Sequence, residues 1–166
     1  MAACTRKQEL YKERLALPNV LFLKDKLMSF FSKISQSFEK QAFMKTLGAQ
    51  LELVEKGKVI ISVRLRRSMM QQHGIGHAGV TFSIGDSAAG YAALTQMGEN
   101  QEVLTSEMKI HLLSPANGEI LKAVGSVLQS GKRFIVVQSD IYSIGGEKEK
   151  MVATMLGTMV PSIVNC

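Results

Sequence analysis

The stretch Gln71–Met97 reads QQHGIGHAGVTFSIGDSAAGYAALTQM and decides the fold of this 166-residue chain. Its glycine-rich start predicts a loop, and the remainder predicts about five turns of helix in which Asp86 is the only charged residue. Apolar and small residues lie on every side of this helix, which is typical of a helix buried on all sides. Desolvating an unpartnered carboxylate costs several kcal/mol, so a partner or a function must account for it. The sequence therefore singles out Asp86 as a candidate catalytic residue.

Helical patterns precede this stretch. Three helices are predicted, over residues 5–17, 21–34 and Phe38–Leu47. Ser35 or Ser37 is the predicted N-cap of the third helix, because a serine hydroxyl can accept a hydrogen bond from the free amides there. Gly48 is its predicted stop, since glycine readily adopts the left-handed conformation that ends many helices. The first 48 residues are therefore predicted to be mainly helical.

Alternating apolar and polar residues predict strands on both sides of the central helix. Two strands precede it and are joined by a hairpin turn at Glu55–Gly57. Four strands follow it, over Val103–Leu113, Glu119–Gln129, Arg133–Tyr142 and Lys150–Val160. The short connections among these strands permit antiparallel pairing and exclude crossover helices. We therefore predict an α+β fold, with an antiparallel sheet of about six strands and one long helix inserted after the second strand.

The composition limits the partners of this chain. A formal charge of +6 favours an anionic partner, which could be nucleic acid, a lipid surface or a phosphate-bearing molecule. The chain has no run of five basic residues and only 6% aromatic residues, which argues against nucleic acid. It also has no uninterrupted apolar run of about 18 residues, so no membrane insertion is expected. Cys4 and Cys166 do not suggest a disulfide framework, and a cytoplasmic location is predicted.

Two motifs in the glycine-rich loop invite other interpretations. Gly74–Gly79 matches the dinucleotide-binding pattern G-x-G-x-x-G, but it does not directly follow a strand and no parallel βαβ unit surrounds it. His73 and His77 have the spacing of paired metal ligands on a helix. The intervening glycines argue against a helix there, and no third ligand is near in sequence. We therefore predict no metal and no cofactor, with His73 in solvent and His77 hydrogen-bonding locally at the helix start.

The junction between loop and helix has a specific chemical use. The first amides of a helix have no internal partner and can hold a developing oxyanion. Here those donors lie near His77, Ala78 and Gly79. Asp86 is eight residues beyond Ala78, roughly 12 Å along one helix. One helix cannot bring both groups to one carbonyl, but two helices related by a two-fold axis can. The spacing therefore predicts a dimer with shared sites.

The chain resembles a known superfamily at these same residues. His77–Val80, five further residues and Asp86–Gly90 lie on a long helix between two strands and a sheet. This arrangement resembles the hotdog superfamily, specifically the acyl-CoA thioesterases of the phenylacetate-degradation (PaaI-like) type, over about Phe38–Val160. The resemblance implies a sheet wrapped around the central helix, dimers joined edge to edge, and often homotetramers. It divides the chain into an N-terminal helical extension, residues 1–35, and a hotdog thioesterase domain, residues 36–166.

The resemblance also implies roles for two residues of the central helix. Asp86 matches the catalytic carboxylate of the family, which acts either as a general base on water or as a nucleophile. Ala78 matches the residue whose backbone N–H polarises the thioester carbonyl. The family commonly has glycine at that position, but alanine keeps the N–H and suits a helix better.

The resemblance implies roles for two polar positions outside the helix, but less directly. Gln71 falls where relatives often carry an asparagine that orients water or the carbonyl, and whether Gln71 or Gln72 points inward is open. Thr105 aligns with a serine or threonine that assists the water in some relatives. Alternation places Leu104 toward the core and Thr105 on the polar face of its strand, so a plain surface threonine is an equal alternative.

Hydrolysis of an acyl-CoA at the dimer interface is the function that this resemblance implies. The CoA phosphates need cations, and the candidates are Arg64, Arg66, Arg67, Lys132 and Arg133. Two alternatives stay open: a hotdog hydratase-dehydratase that uses a His–carboxylate pair, and a non-catalytic acyl-CoA-binding module whose N-terminal helices bind a partner. The acyl group and the choice between homodimer and homotetramer are also open.

Overall fold

Six antiparallel strands form one sheet in the computed structural model of this chain, which describes residues 31–163. The strands are β1 Gln50–Glu55, β2 Lys58–Arg64, β3 Gln101–Leu112, β4 Ile120–Ser130, β5 Ile135–Gly145 and β6 Lys148–Ile163. Their spatial order is β1-β2-β4-β5-β6-β3, and all neighbours pair antiparallel. The predicted α+β fold is confirmed. Because β3 pairs with β6 alone, it forms one edge of the sheet.

Three α-helices and one 3-10 helix accompany the sheet within the described residues. The α-helices are residues 31–40 (α1), Ala42–Leu47 (α2) and Ala78–Leu94 (α3), and the 3-10 helix is Arg67–Met69. The predictions for residues 5–17 and for most of 21–34 lie outside the described residues. The predicted division of the chain after residue 35 stays a prediction.

The start of the third predicted helix was wrong, whereas its end was right. Helix α1 continues through both candidate serine caps, because the apolar pair Ile34 and Phe38, four residues apart, is buried on one face. The chain breaks instead at Gln41, whose backbone is extended at φ −72° and ψ 99° and whose side chain makes no capping bond. Helix α2 ends at Gly48 in the left-handed conformation, with φ 66°, as predicted.

Helix α3 packs across the inner face of the sheet, against strands β2 to β6. Two glycines allow this close approach. A Cβ built at Gly125 of β4 would overlap the α3 backbone at Ala88, and one built at Gly85 of α3 would overlap Met155 of β6. The helix and the sheet are therefore in near-backbone contact in the middle of the core.

The two halves of α3 differ in burial. All residues from Ala88 to Leu94 are buried, because the sheet and α1 surround this half. In the first half, Gly79, Phe82, Ser83 and Asp86 form a stripe at helical spacing that the chain leaves partly uncovered, and Phe82 is 37% exposed. We call these four residues the open stripe. The prediction of burial on all sides is therefore wrong for the first half of α3.

A β-bulge changes which residues of β3 face the helix. The register shifts between Thr105 and Glu107, so one extra residue on β3 opposes β6 there. Before the bulge Val103 and Thr105 face α3, while Leu104 is 57% exposed. The predicted orientations of Leu104 and Thr105 were therefore wrong, because simple alternation takes no account of a bulge.

Among residues 31–163, no helix has both the length and the apolar character needed to cross a membrane.

Candidate active site

Asp86 lies on the open stripe in the middle of α3, half-buried beside strand β3. Its Oδ1 accepts a hydrogen bond of 2.8 Å from Oγ1 of Thr105. Burial raises the pKa of Asp86 above the usual 3.8, and the bond from Thr105 lowers the pKa and offsets part of this. No ion pair within the described residues involves Asp86. The carboxylate is thus held in place, made more basic and not neutralised, which suits a general base.

A cavity of about 140 Å³ adjoins Asp86. The described residues that line it include Ser37, Gln41, Gly90, Tyr91, Glu102 and Val103. Sequence reasoning singled out only Gly90 among them, as a small residue beside Asp86 that leaves room for an acyl group. Helical spacing places Gly90, four positions beyond Asp86, on the same face of α3, but it does not place Tyr91 there. No local signal relates Ser37, Gln41, Glu102 and Val103 to Asp86, because they come from the segment of α1 and Gln41 and from β3.

His77 is the N-cap of α3, with extended backbone at φ −64° and ψ 138°. Its Nδ1 accepts a hydrogen bond of 2.9 Å from the amide of Gly79, so the prediction of a local hydrogen bond is confirmed. The amides of Val80 and Thr81 bond to the carbonyl oxygen of His77. The amide of Ala78 makes no hydrogen bond within the part of the chain that the structure describes. At the start of α3, Ala78 is therefore the free donor, and the amide of Gly79 is already engaged.

A groove of about 640 Å³ lies at this end of α3. Gln71, Gln72 and Ala78 line it together with Leu112 and Leu113 at the end of β3. The side-chain carbonyl oxygen of Gln71 accepts a hydrogen bond of 3.0 Å from the amide of His73. Gln71 therefore holds the loop, and both glutamines line the same groove as Ala78.

The predicted site residues fall into two groups within one chain. Asp86 and Thr105 line the small cavity, whereas Gln71, His77 and Ala78 line the groove. Ala78 and Asp86 are roughly 12 Å apart along α3. A single chain therefore does not bring the candidate base and the candidate oxyanion donor to one carbonyl.

The candidate cations do not form one patch either. Arg64 pairs with Glu119 at 2.9 Å, and Arg66 donates a 2.6 Å hydrogen bond to the carbonyl oxygen of Thr46 in α2. Lys132 and Arg133 follow β4 at its other end, about 35 Å from Arg64 for eleven residues of extended strand. Among the described residues, no group of three or more His, Cys, Asp and Glu side chains could hold a metal ion.

An antiparallel sheet curved around one long helix, with an acid in mid-helix and a free amide at its start, defines a hotdog-fold protein. Comparison with known proteins gives the family. Residues 73–150 match the Thioesterase superfamily. A Saccharolobus solfataricus protein named "Putative esterase" is 30% identical over 129 residues, which cover 78% of this chain and 83% of that protein. The chain belongs to the Thioesterase superfamily, and it is a thioester hydrolase.

Other relatives agree with this assignment. A crystal structure of a thioesterase family protein from Silicibacter pomeroyi is 36% identical, has a TM-score of 0.80, and covers 81% of this chain and 99% of its own. Acyl-coenzyme A thioesterase PaaI of Escherichia coli is 27% identical over 121 residues, which cover 72% of this chain and 82% of PaaI. The solved PaaI structure shares the fold, with a TM-score of 0.74 over 82% of this chain and 95% of its own. The PaaI-like hotdog fold expected from the sequence is confirmed.

Proposed function

We propose that this thioester hydrolase cleaves acyl-CoA at two sites shared between the subunits of a homodimer. The free amide of Ala78 in one subunit binds the thioester carbonyl oxygen. Asp86 of the other subunit takes a proton from water, which attacks the carbonyl carbon. The oxyanion that forms is stabilised by the amide and then collapses, and the C–S bond breaks to release the acid and CoA thiolate.

The observation that carries this proposal is the separation of the two groups along α3. Among the described residues, Ala78 is the free donor at the start of the helix, and Asp86, two turns later, is a half-buried acid without an ion-pair partner. Asp86 lies on the open stripe and Ala78 lies next to it, but the two residues line different cavities. A second α3 that packs antiparallel on the open stripe would bring each amide to the acid of the other copy.

Strand β3 supports the same two-fold arrangement. It is a twelve-residue edge strand, and an unpaired edge of that length is normally covered by another element or chain. Thr105 lies beside Asp86, and Leu112 lies in the groove with Ala78. If β3 pairs antiparallel with its own copy about an axis near Met108, Thr105 lies opposite the end of the partner's β3. Each Asp86 then faces the groove of the other subunit.

Acyl-CoA as the substrate is supported by the relatives and by charge. A relative named as an acyl-coenzyme A thioesterase covers 72% of this chain. The net charge of +6 suits a substrate that carries phosphates. Lys132 and Arg133 form no ion pair within the described residues, and we propose them as the phosphate contacts. Assembly of dimers into a homotetramer and a cytoplasmic location stay predictions.

A complementation experiment tests the shared site. Ala78→Pro removes only the donor N–H, because proline is favoured at the first helical position and His77 already has the extended backbone that a following proline requires. Asp86→Asn removes the base. Each variant alone should be almost inactive in a thiol-release assay with an acyl-CoA.

The two variants are then co-expressed with different affinity tags, and the mixed dimer is purified through both tags. One of its two sites combines an intact Asp86 with an intact Ala78 amide, so about half of the wild-type activity should return. An inactive mixed dimer would place both groups of a site in one subunit and overturn the proposal. Failure to recover any mixed species would overturn the dimer itself.

A further inference from the structure

The cavity beside Asp86 continues along α3 away from the open stripe. Asp86, Gly90 and Tyr91 all line it, and the distance from Asp86 to Tyr91 is roughly 7.5 Å along the helix axis. The proposed reaction places the thioester carbonyl next to Asp86. The acyl group attached to that carbonyl therefore has this cavity in front of it, and the inference that follows rests on the proposed function.

The size of the cavity limits the acyl group. Its volume is about 140 Å³, and an engineered cavity of roughly 150 Å³ holds a benzene molecule, which has six carbons. Gly90 lies in the wall. A Cβ built at Gly90 would contact Val103 at 3.8 Å and Met159 at 4.0 Å, both ordinary contact distances. A methyl group therefore fits at this position, but it occupies space that the acyl group would use.

The far end of the cavity is polar. The Tyr91 hydroxyl lies 3.3 Å from the Ser37 hydroxyl, and Gln41 also hydrogen-bonds to Tyr91. Burial raises the pKa of Tyr91, and the charge of Glu102 raises it further, so the phenol stays protonated and can donate. The edge-on contact of its ring with Phe38 holds it in position. A plain hydrocarbon end could make no hydrogen bond to these polar groups, whereas a polar end could.

A hydroxyl matches this end of the cavity better than other groups. It can accept a hydrogen bond from Tyr91 and donate one to the carboxylate of Glu102, whereas an ammonium can only donate and a methyl can do neither. Ser37 and Gln41 lie outside residues 73–150, the part that matches the superfamily. The polar end wall is therefore built partly by a segment that the family match does not include.

We infer that this cavity is the acyl pocket, that it selects a short acyl chain of about six carbons with a hydroxyl at its far end, and that Gly90 sets the length it accepts. Tyr91 and Glu102 bind the hydroxyl. Ser37 and Gln41 position Tyr91 and do not touch the reacting atoms.

Matched substrates test the polar end. The ratio of kcat/KM for 6-hydroxyhexanoyl-CoA to that for hexanoyl-CoA should be about ten, the effect of one satisfied hydrogen bond. Tyr91→Phe and Glu102→Gln should each reduce this ratio to near one. Tyr142→Phe, which removes the hydroxyl of a tyrosine whose ring contacts Lys122 on the other face of the sheet, should leave the ratio unchanged. A wild-type ratio near one, or a ratio that neither pocket variant changes, would overturn the inference.

Chain length tests the role of Gly90. Gly90→Ala should lower kcat/KM for hexanoyl-CoA about tenfold relative to that for acetyl-CoA, and palmitoyl-CoA should be a poor substrate for both proteins. Equal losses on acetyl-CoA and hexanoyl-CoA, or efficient palmitoyl-CoA hydrolysis by the wild type, would overturn this part. If no CoA ester is hydrolysed, the proposed function fails. If esters are hydrolysed without these preferences, only the inference fails.

Discussion

The first and second halves of α3 are built from similar small residues but have opposite environments. Residues Ala88–Leu94 are buried entirely by their own chain, whereas the open stripe of the first half is partly uncovered and carries the acid Asp86. Most of the buried half packs against the sheet, and Gly125 of β4 lets the two backbones approach closely, while Gly90 and Tyr91 also line the cavity beside Asp86. The open half carries the groups of the proposed reaction, a half-buried carboxylate and an amide that is free within the described residues.

One helix can therefore be part of the core and also carry the proposed active site. A charge in the buried half would be desolvated without compensation. In the open half, Asp86 keeps one hydrogen bond to Thr105 and stays partly exposed. The uncovered surface is also the part that a second copy of the chain would cover in the proposed dimer.

Asp86→Asn removes the chemistry of the open half and should have the largest effect. Without the base, kcat should fall about 10³-fold. The folded-state pKa of Asp86 is raised, so its ionisation destabilises the fold as pH rises above 3.8. The asparagine variant should therefore melt at a higher temperature than the wild type at pH 7, and this difference should disappear at acid pH, where Asp86 is protonated in both states.

A matched carboxylate provides the control. Asp140, half-buried on the outer face of the sheet, accepts hydrogen bonds from Gln138 and Thr154. Asp140→Asn should keep nearly full activity in the same thiol-release assay. Substantial hydrolysis by the Asp86→Asn protein would contradict the assignment of the base.

Gly125→Ala disturbs the buried half and should mainly affect stability. The added methyl group would overlap the α3 backbone at Ala88, which cannot yield as a flexible side chain could. We expect the free energy of unfolding to fall by about 2 kcal/mol in urea titration. Gly90→Ala, on the helix itself, meets only ordinary contacts and should raise the free energy of unfolding by about 0.5–1 kcal/mol through helix propensity. If Gly125→Ala and Gly90→Ala both raised or both lowered the free energy of unfolding, the packing described for this half would be contradicted.

Replacing both Lys132 and Arg133 by serine should weaken substrate binding without changing either half of α3. If these side chains bind the CoA phosphates, KM for acyl-CoA should rise about fivefold, the effect of roughly 1 kcal/mol for two exposed charges, with kcat unchanged. The rise should shrink at high salt. Arg64→Ser serves as the control because Arg64 already pairs with Glu119. A larger rise in KM for the control than for the double variant would place the phosphates at the other end of the sheet.

Thr105→Ala should have the smallest effect, which is a shift of the pH profile. The hydrogen bond from Thr105 lowers the pKa of Asp86, so its loss should move the acid limb of kcat/KM to higher pH. In the wild type this limb should already lie above pH 3.8, because burial raises the pKa. Thr154→Ala removes the equivalent bond to Asp140 and should leave the limb in place. If the acid limb of kcat/KM moved to lower pH in Thr105→Ala, the hydrogen bond from Thr105 would not lower the pKa of Asp86 as described.

Local patterns in the sequence were sufficient for the architecture. The change from helical spacing to alternation after Gly48 predicted where the sheet begins, and the turn at Glu55–Gly57 predicted the first hairpin. Glycine identifies such positions in a sequence, because Gly48 and Gly57 adopt the positive φ angles that end a helix and close a turn. The length of α3 and its single acid could also be predicted, because both depend on residues close together in the chain.

Long-range contacts decided the features that the sequence analysis missed. The bulge in β3 depends on its pairing with β6, some 50 residues later, and it turned Thr105 toward Asp86. The cavity beside Asp86 is lined by residues from α1, α3 and β3. The spacing of residues along the chain does not predict that these three elements meet.

Periodicity and glycine placement act over a few residues, so the chain alone was enough to predict an α+β fold, a long apolar helix, and the acid and loop that mark the candidate site, while the resemblance added the hotdog family. Packing decided which half of that helix is covered and which side chains surround Asp86. It also decided that, within the described residues, the amide of Ala78 is free and that of Gly79 is not. Burial and hydrogen-bond satisfaction depend on every element packed against a residue, so they are settled only when the whole sheet is in place.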